Sequence, residues 1–273
     1  MIQIRKFALA AITAGAMVIA PLTASALNIQ LGFILDRSGS IGSPDYGIIT
    51  DGLADAIDLI TVGGIDTYEI SIVSFAGSAT IEASSVVLNT PGERDALSNA
   101  VRGYSFGSGG LTNYADAFNK MTTALTSTTW TTVDASFVNF ATDGRPTAGG
   151  TGGQNDPSHD TEGIAARDNM LAAAGVDNLS IEGIDLNTTA ANRLKLNYCD
   201  PTPCDTAFPP NFPTQGFYIG VNDAAGYAAA IGNKVRVVTG QPVVPEPGTI
   251  ILFGTGLAGL AAWRMRKAKK EAA

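Results

Sequence analysis

The sequence predicts an α/β domain: a doubly wound, mostly parallel sheet with one antiparallel strand. Three observations lead there. Between residues 27 and 239, short apolar runs alternate with segments whose apolar residues recur at helical spacing, the pattern of strands joined by right-handed helical crossovers. Two of the runs are almost continuously apolar and stop at an aspartate, Asp36 and Asp143, as expected for strands covered on both faces. One pair of runs is separated by a short turn, which makes that pair antiparallel. No internal repeat and no interior linker divides the region.

The elements follow in order. Ile29 to Leu35 forms the first strand and ends at Asp36. Residues 45–61 place Ile49, Leu53, Ala56, Ile57 and Ile60 on one stripe of a helix. Tyr68–Phe75 and Thr80–Leu88 lie on either side of Gly77 as a hairpin. Residues 113–125 repeat apolar positions at Ala115, Phe118, Met121 and Leu125, and Phe137–Thr142 is a second buried strand. Residues 160–174 are Ala-rich and helical, with Gly175 as the stop. Leu179–Asp185 and Gly216–Val221 add two strands, and a helix near 223–232 closes the domain.

Composition narrows the function. Of 273 residues, 45% are apolar and 15% charged, enough for a real core. Residues 27–245 hold ten Lys/Arg against 23 Asp/Glu, a formal charge of −13. That field repels phosphate and argues against nucleic acid as a partner. One histidine and two cysteines argue against His-ligated zinc, iron–sulfur clusters and disulfide-dense scaffolds.

Both ends read as addresses. Arg5-Lys6, the uncharged run Phe7–Ala20 and Ala24-Ser25-Ala26 have the layout of a signal peptide over residues 1–26, cleaved so that the mature chain begins at Leu27. At the other end, a Pro-rich linker (240–248) leads into a transmembrane helix (249–263) and a basic cytoplasmic tail (264–273). Pro247 to Trp263 carries no charge and would span about 25 Å as a helix. Arg264, Arg266, Lys267, Lys269 and Lys270 just beyond it stay cytoplasmic under the positive-inside rule. Gly254, Gly256 and Gly259 spell G-x-G-x-x-G, but inside a membrane-length segment with no following βαβ unit they serve close helix packing rather than a dinucleotide.

In a parallel sheet, polar groups just after the strands gather at one edge, the usual ligand position. Asp36, Ser38 and Ser40 follow the first strand, Asp143 follows the fourth, and Thr112 sits in the loop after Gly107-Ser108-Gly109-Gly110. Two carboxylates and three hydroxyls form a hard-oxygen set suited to Mg²⁺, with Mn²⁺ or Ca²⁺ as alternatives. Alternate residues of an extended segment share a face, so Asp36, Ser38 and Ser40 can converge. The competing reading is that these hydroxyls only cap helices and satisfy turns.

Asp36-Arg37-Ser38-Gly39-Ser40, Gly110-Leu111-Thr112 and Thr142-Asp143-Gly144 resemble, in order, the D-x-S-x-S, G-x-T and T-D-G elements of von Willebrand factor type A (VWA) domains. The resemblance covers about residues 29–235. It implies a Rossmann-like sheet bearing a complete metal-ion-dependent adhesion site (MIDAS). Ser38, Ser40 and Thr112 would then coordinate the ion through oxygen, and Asp36 and Asp143 directly or through water. Separately, Pro245-Glu246-Pro247, the apolar segment and the Arg-rich end resemble the PEP-CTERM sorting signal over residues 245–270. That resemblance implies export past signal peptidase, transient membrane anchoring and removal of the tail by an exosortase-type protease, for delivery to the cell surface or matrix.

Other signals carry less. His159 lies in a polar, Gly-rich stretch and reads as an exposed loop histidine; alone, with no G-x-S-x-G elbow, it makes hydrolysis a poor reading. Cys199 and Cys204 frame four residues in an exported chain and read as a local disulfide. Asn178-Leu179-Ser180 and Asn187-Thr188-Thr189 match the glycosylation acceptor pattern. The sequence therefore leads to a non-enzymatic, metal-dependent adhesion module that takes an acidic side chain from a protein partner. The alternative is a structural matrix or biofilm component in which the ion only supports the fold.

Overall fold

The computed structural model describes residues 26–107, 109–207 and 210–241. The expected signal peptide, membrane helix and basic tail lie outside these residues, as do Pro245, Glu246 and Pro247. No helix among the described residues is long and apolar enough to cross a membrane.

Six strands form one sheet: β1 (Asn28–Asp36), β2 (Thr67–Phe75), β3 (Ala79–Leu88), β4 (Ala135–Thr142), β5 (Asn178–Ile184) and β6 (Tyr218–Val221). Their spatial order is β3-β2-β1-β4-β5-β6, and only the β2–β3 pair is antiparallel. The helices are α1 (Ser43–Asp58), α2 (Pro91–Arg102), α3 (Tyr114–Thr126), α4 (Ser158–Ala173), α5 (Thr188–Asn197) and α6 (Ala224–Val238). Apolar residues of α1, α2 and α6 pack with Leu31, Phe33 and Leu35 of β1 on one face, while α3, α4 and α5 pack with Ile34, Val73 and Phe140 on the other. β1 is thus buried on both sides, which is why it is apolar without alternation. The order reverses between β1 and β4, which places the C-terminal ends of these neighbours at a switch point.

Two glycines show how closely the layers meet. A Cβ on Gly52 in α1 would lie 2.4 Å from Ala228 Cβ in α6. Gly175, at φ 61°, takes the left-handed conformation just beyond the end of α4, as its role of helix stop requires.

Two helices escape the sequence expectation, α2 and α5. Helix α2 buries only Leu97, Ser98 and Val101 but begins with a full capping box, in which Thr90 accepts from the Glu93 N–H and Glu93 reaches back to the Thr90 N–H. Helix α5 buries only Leu194 and is capped by Asn187, whose side chain accepts from the Ala190 N–H. Asn178 is buried and donates to the carbonyls of Pro213 and Gln215, so both glycosylation-pattern asparagines do structural work. Cys199 and Cys204 form a disulfide. The adjacent Asp200 bridges to Leu179 at the start of β5, the end of the sheet opposite Asp36.

One buried ion pair fixes α6 to the sheet. Lys234 Nζ lies 2.5 Å from Glu182 Oε1, Glu182 also accepts from Asn139 Nδ2, and Lys234 sits over the Phe217 ring at 4.7 Å. Burial pushes the Lys234 amine down to about 8, against the pull of Glu182. Removing one partner of such a pair leaves the other charge uncompensated. Lys234→Met is therefore expected to lower unfolding free energy by about 3–5 kcal/mol in urea titrations at pH 7, and adding Glu182→Leu should restore most of the loss.

Candidate functional site

At the C-terminal edge of the sheet, Asp36 closes β1, Ser38 and Ser40 follow it, Asp143 follows β4, and Thr112 comes in on the connection between α2 and α3. Asp36 ends β1 at 1% exposure, and Ser38 is equally buried. The Ser38 N–H turns back to Asp36 Oδ1 at 2.7 Å, an Asx-type closure that aims the next hydroxyls at the same spot. Ser38 Oγ and Ser40 Oγ are 3.2 Å apart, and Ser40 Oγ donates to Asp143 Oδ1 at 2.9 Å. Four of the five residues are thereby joined in one cluster. The fifth, Thr112, has no hydrogen bond from its hydroxyl to the others among the described residues. Its loop is drawn in by the Gly39 N–H, which donates to the Gly110 carbonyl at 3.0 Å.

Behind the cluster is a buried polar brace. Thr142 donates to Asp36 Oδ2 at 2.7 Å. The Tyr114 hydroxyl lies 2.9 Å from Thr142 Oγ1 and donates to the Gly144 carbonyl at 2.6 Å. Tyr114 is fully buried, and burial followed by the Asp36 charge holds its hydroxyl far above the usual phenol range. Sequence reasoning placed Thr142 in a motif without a role and missed Tyr114 altogether. The position of Tyr114 in the first turn of the helix after Thr112 was the signal available.

His159 corrects a sequence expectation. It is not an exposed loop residue but 2% exposed in the first turn of α4. Its Nδ1 accepts from the Gly150 N–H at 2.8 Å and its Nε2 donates to the Gly153 carbonyl at 2.9 Å. The same Gly-rich segment carries Thr147, which backs Thr112. The Thr112 N–H donates to Thr147 Oγ1 at 2.9 Å, and the N–H groups of Thr147 and Ala148 donate to the Thr112 carbonyl at 2.8 and 3.1 Å.

The electrostatics are those of an uncompensated acidic pair. Neither Asp36 nor Asp143 forms an ion pair with Lys or Arg among the described residues. Burial, then the Asp143 charge, raises Asp36 from 3.8 to about 7, despite hydrogen bonds from Thr142 and Ser38. Burial also raises Asp143, opposed by the bond from Ser40. A divalent cation would supply the missing charge, and the donor set of hydroxyls and carboxylates fits a hard ion. No group of three or more His, Cys, Asp and Glu that could hold a metal occurs among the described residues, so an ion here would rely on hydroxyl and water oxygens beside two carboxylates.

Residues 30–205 match the family model described as von Willebrand factor type A domain, and residues 243–267 match the PEP-CTERM protein-sorting motif. No curated protein matches the chain. Among solved structures, the PilB minor pilin of Streptococcus sanguinis is similar over 81% of this chain and 63% of its own, at 12% identity and TM-score 0.59. The pilus adhesin SpaC of Lactobacillus rhamnosus GG is similar over 80% of this chain and 31% of its own, at 13% identity and TM-score 0.58. Proximal thread matrix protein 1 from the mussel byssus, in a form with a zinc-occupied MIDAS motif, covers 78% of this chain and 46% of its own, at 15% identity and TM-score 0.55. The chain spans less than two thirds of each of these proteins, and at these identities the likeness is one of fold.

The raised Asp36 sets a pH dependence. With a value of about 7 in the fold against 3.8 ordinarily, the native state holds this proton where the unfolded chain releases it. Its contribution to stability is therefore present below pH 4 and lost as pH rises to 7. In chelator, thermal unfolding should show on the order of a few kcal/mol less stability from this group at pH 8 than at pH 5. Asp36→Asn should flatten that slope.

Proposed function

Because the chain belongs to the von Willebrand factor type A family, we propose that it is an exported, non-enzymatic adhesion module working through a divalent ion held by Asp36, Ser38, Ser40, Thr112 and Asp143. Ser38, Ser40 and Thr112 bind through their hydroxyls, and Asp36 and Asp143 directly or through water. One observation carries the reading: Ser38, Ser40 and Asp143 form a contiguous set of oxygens beside a buried Asp36 that has no cation partner among the described residues. Where Asp36 and Asp143 reach the ion through water, its direct protein ligands are neutral hydroxyls, so a Glu or Asp from a partner protein supplies the charged direct ligand. Charge is then buried only when paired, which favours discrimination between partners over raw affinity.

The domain spans residues 27–239, follows a cleaved signal peptide and precedes the sorting tail. The match to the sorting motif supports export, passage through the membrane by way of the apolar segment and processing by an exosortase-type protease. The adhesin, pilin and byssus matrix protein of like fold support a place at the cell surface or in the extracellular matrix.

A second reading has its own support. Asp36 is braced by Thr142 and Tyr114 deep in the domain, where an ion would also stabilise the fold. Bound to the native state alone, an ion at a hundredfold excess over its Kd adds about 2.7 kcal/mol. In a structural matrix component that is its whole role. Calorimetric titration with Mg²⁺, Mn²⁺ and Ca²⁺ should show saturable binding that Asp143→Ala abolishes. A glutamate-bearing ligand should then engage the loaded protein and not the chelated one; indifference of the loaded protein to that ligand would favour the structural role.

A further inference from the structure

The segment between Asp143 and α4 reads Gly-Arg-Pro-Thr-Ala-Gly-Gly-Thr-Gly-Gly-Gln-Asn-Asp-Pro and has little apolar surface to bury. Its order therefore depends on specific hydrogen bonds, because backbone entropy opposes every fixed glycine. Those bonds fall at two places. Thr147 and Ala148 grip both backbone groups of Thr112. Three residues on, Gly150 and Gly153 are held by the two ring nitrogens of His159, and Ser158 Oγ accepts from the Thr151 N–H.

The ring bonds specify a protonation state. Gly150 presents an N–H and Gly153 a carbonyl, so only the neutral imidazole with hydrogen on Nε2 satisfies both. A proton on Nδ1 would set one N–H against another in a site 2% exposed, and the mismatch is relieved only if the segment moves away.

We propose that His159 is a positioning residue for the ion site: its neutral ring holds the glycine segment, the segment holds Thr147 against Thr112, and protonation of His159 therefore opposes ion binding. The inference rests on the ion site proposed above. Asp156 faces the ring from the loop, with its carboxylate engaged by the Ser158 N–H. On α4 itself, Asp160 adjoins His159 and is bound by Arg193 and Tyr198, and Glu162 is exposed one turn on. On α3, packed against α4, Asp116 is engaged by the Ala79 N–H, and Lys120 is the other charged residue. None of these restores the bond to Gly150.

The chain's one histidine makes the test direct, because its ring protons give a single titrating signal by NMR in the intact protein. Saturating Mg²⁺ is expected to move that titration to lower pH by about half a unit or more, the reciprocal of a roughly threefold or larger change in ion affinity. Calorimetry on the same samples verifies Mg²⁺ binding. Thr147→Val, which removes the hydroxyl that accepts from the Thr112 N–H and leaves the two backbone bonds to the Thr112 carbonyl, should shrink the shift, and Thr147→Ser should restore it. An identical titration with and without bound Mg²⁺ overturns the coupling while leaving the ion site intact. A shift that survives Thr147→Val undiminished also overturns it, since the coupling would then not pass through the Thr147 side chain that backs Thr112. If calorimetry detects no Mg²⁺ binding, the ion site itself fails and the coupling with it.

Discussion

Asp36 is a carboxylate at the end of a strand buried on both faces, and among the described residues it has no cation beside it. Solvent cannot compensate that charge at 1% exposure, so the protein does so with Ser38, Thr142 and, behind Thr142, Tyr114. The rest of the site follows from this constraint. The Asx closure at Ser38 aims Ser38 and Ser40 along one line, Asp143 meets them from β4, and the Gly39–Gly110 bond brings the Thr112 loop alongside. The hydrogen bonds only partly offset the cost, as the rise of Asp36 to about 7 records. That residual deficit is what gives a divalent ion a reason to bind.

The sheet order explains why these residues meet. β1 and β4 are neighbours in space but separated in sequence by two strands and three helices. Their parallel pairing brings Asp36 and Asp143, 107 positions apart, to the same edge. Helix α3 begins directly after Thr112 and Asn113 and supplies Tyr114 from its first turn. The site is thus built on loops whose ends are fixed by the best-packed elements of the domain, which is how short loops can be held to a defined geometry.

What was legible in the sequence was whatever local pattern determines. Unbroken apolar runs marked β1 and β4 because central parallel strands need them, and the aspartates ending those runs marked the edge. The spacing of Asp36, Ser38 and Ser40 marked a convergent oxygen set. Helices α2 and α5 were hidden because each buries so few apolar side chains that no stripe emerges; their capping residues, Thr90 with Glu93 for α2 and Asn187 for α5, were the readable traces. His159 was misread for a different reason. Its polar, Gly-rich surroundings suggest a solvated loop, whereas the fold wraps that loop around the ring and buries it through backbone hydrogen bonds that composition does not encode. Tyr114 acts through contacts with β4, which only the tertiary arrangement supplies.

The most direct test of the account is anomalous diffraction from crystals of the protein equilibrated with Mn²⁺. The account predicts one strong peak at the C-terminal edge of β1 and β4, within coordination distance of Ser38 Oγ and Ser40 Oγ, with Thr112 and Asp143 completing the shell directly or through water. A peak elsewhere, or none in crystals whose Asp36–Ser40 loop has the geometry described above, would contradict it.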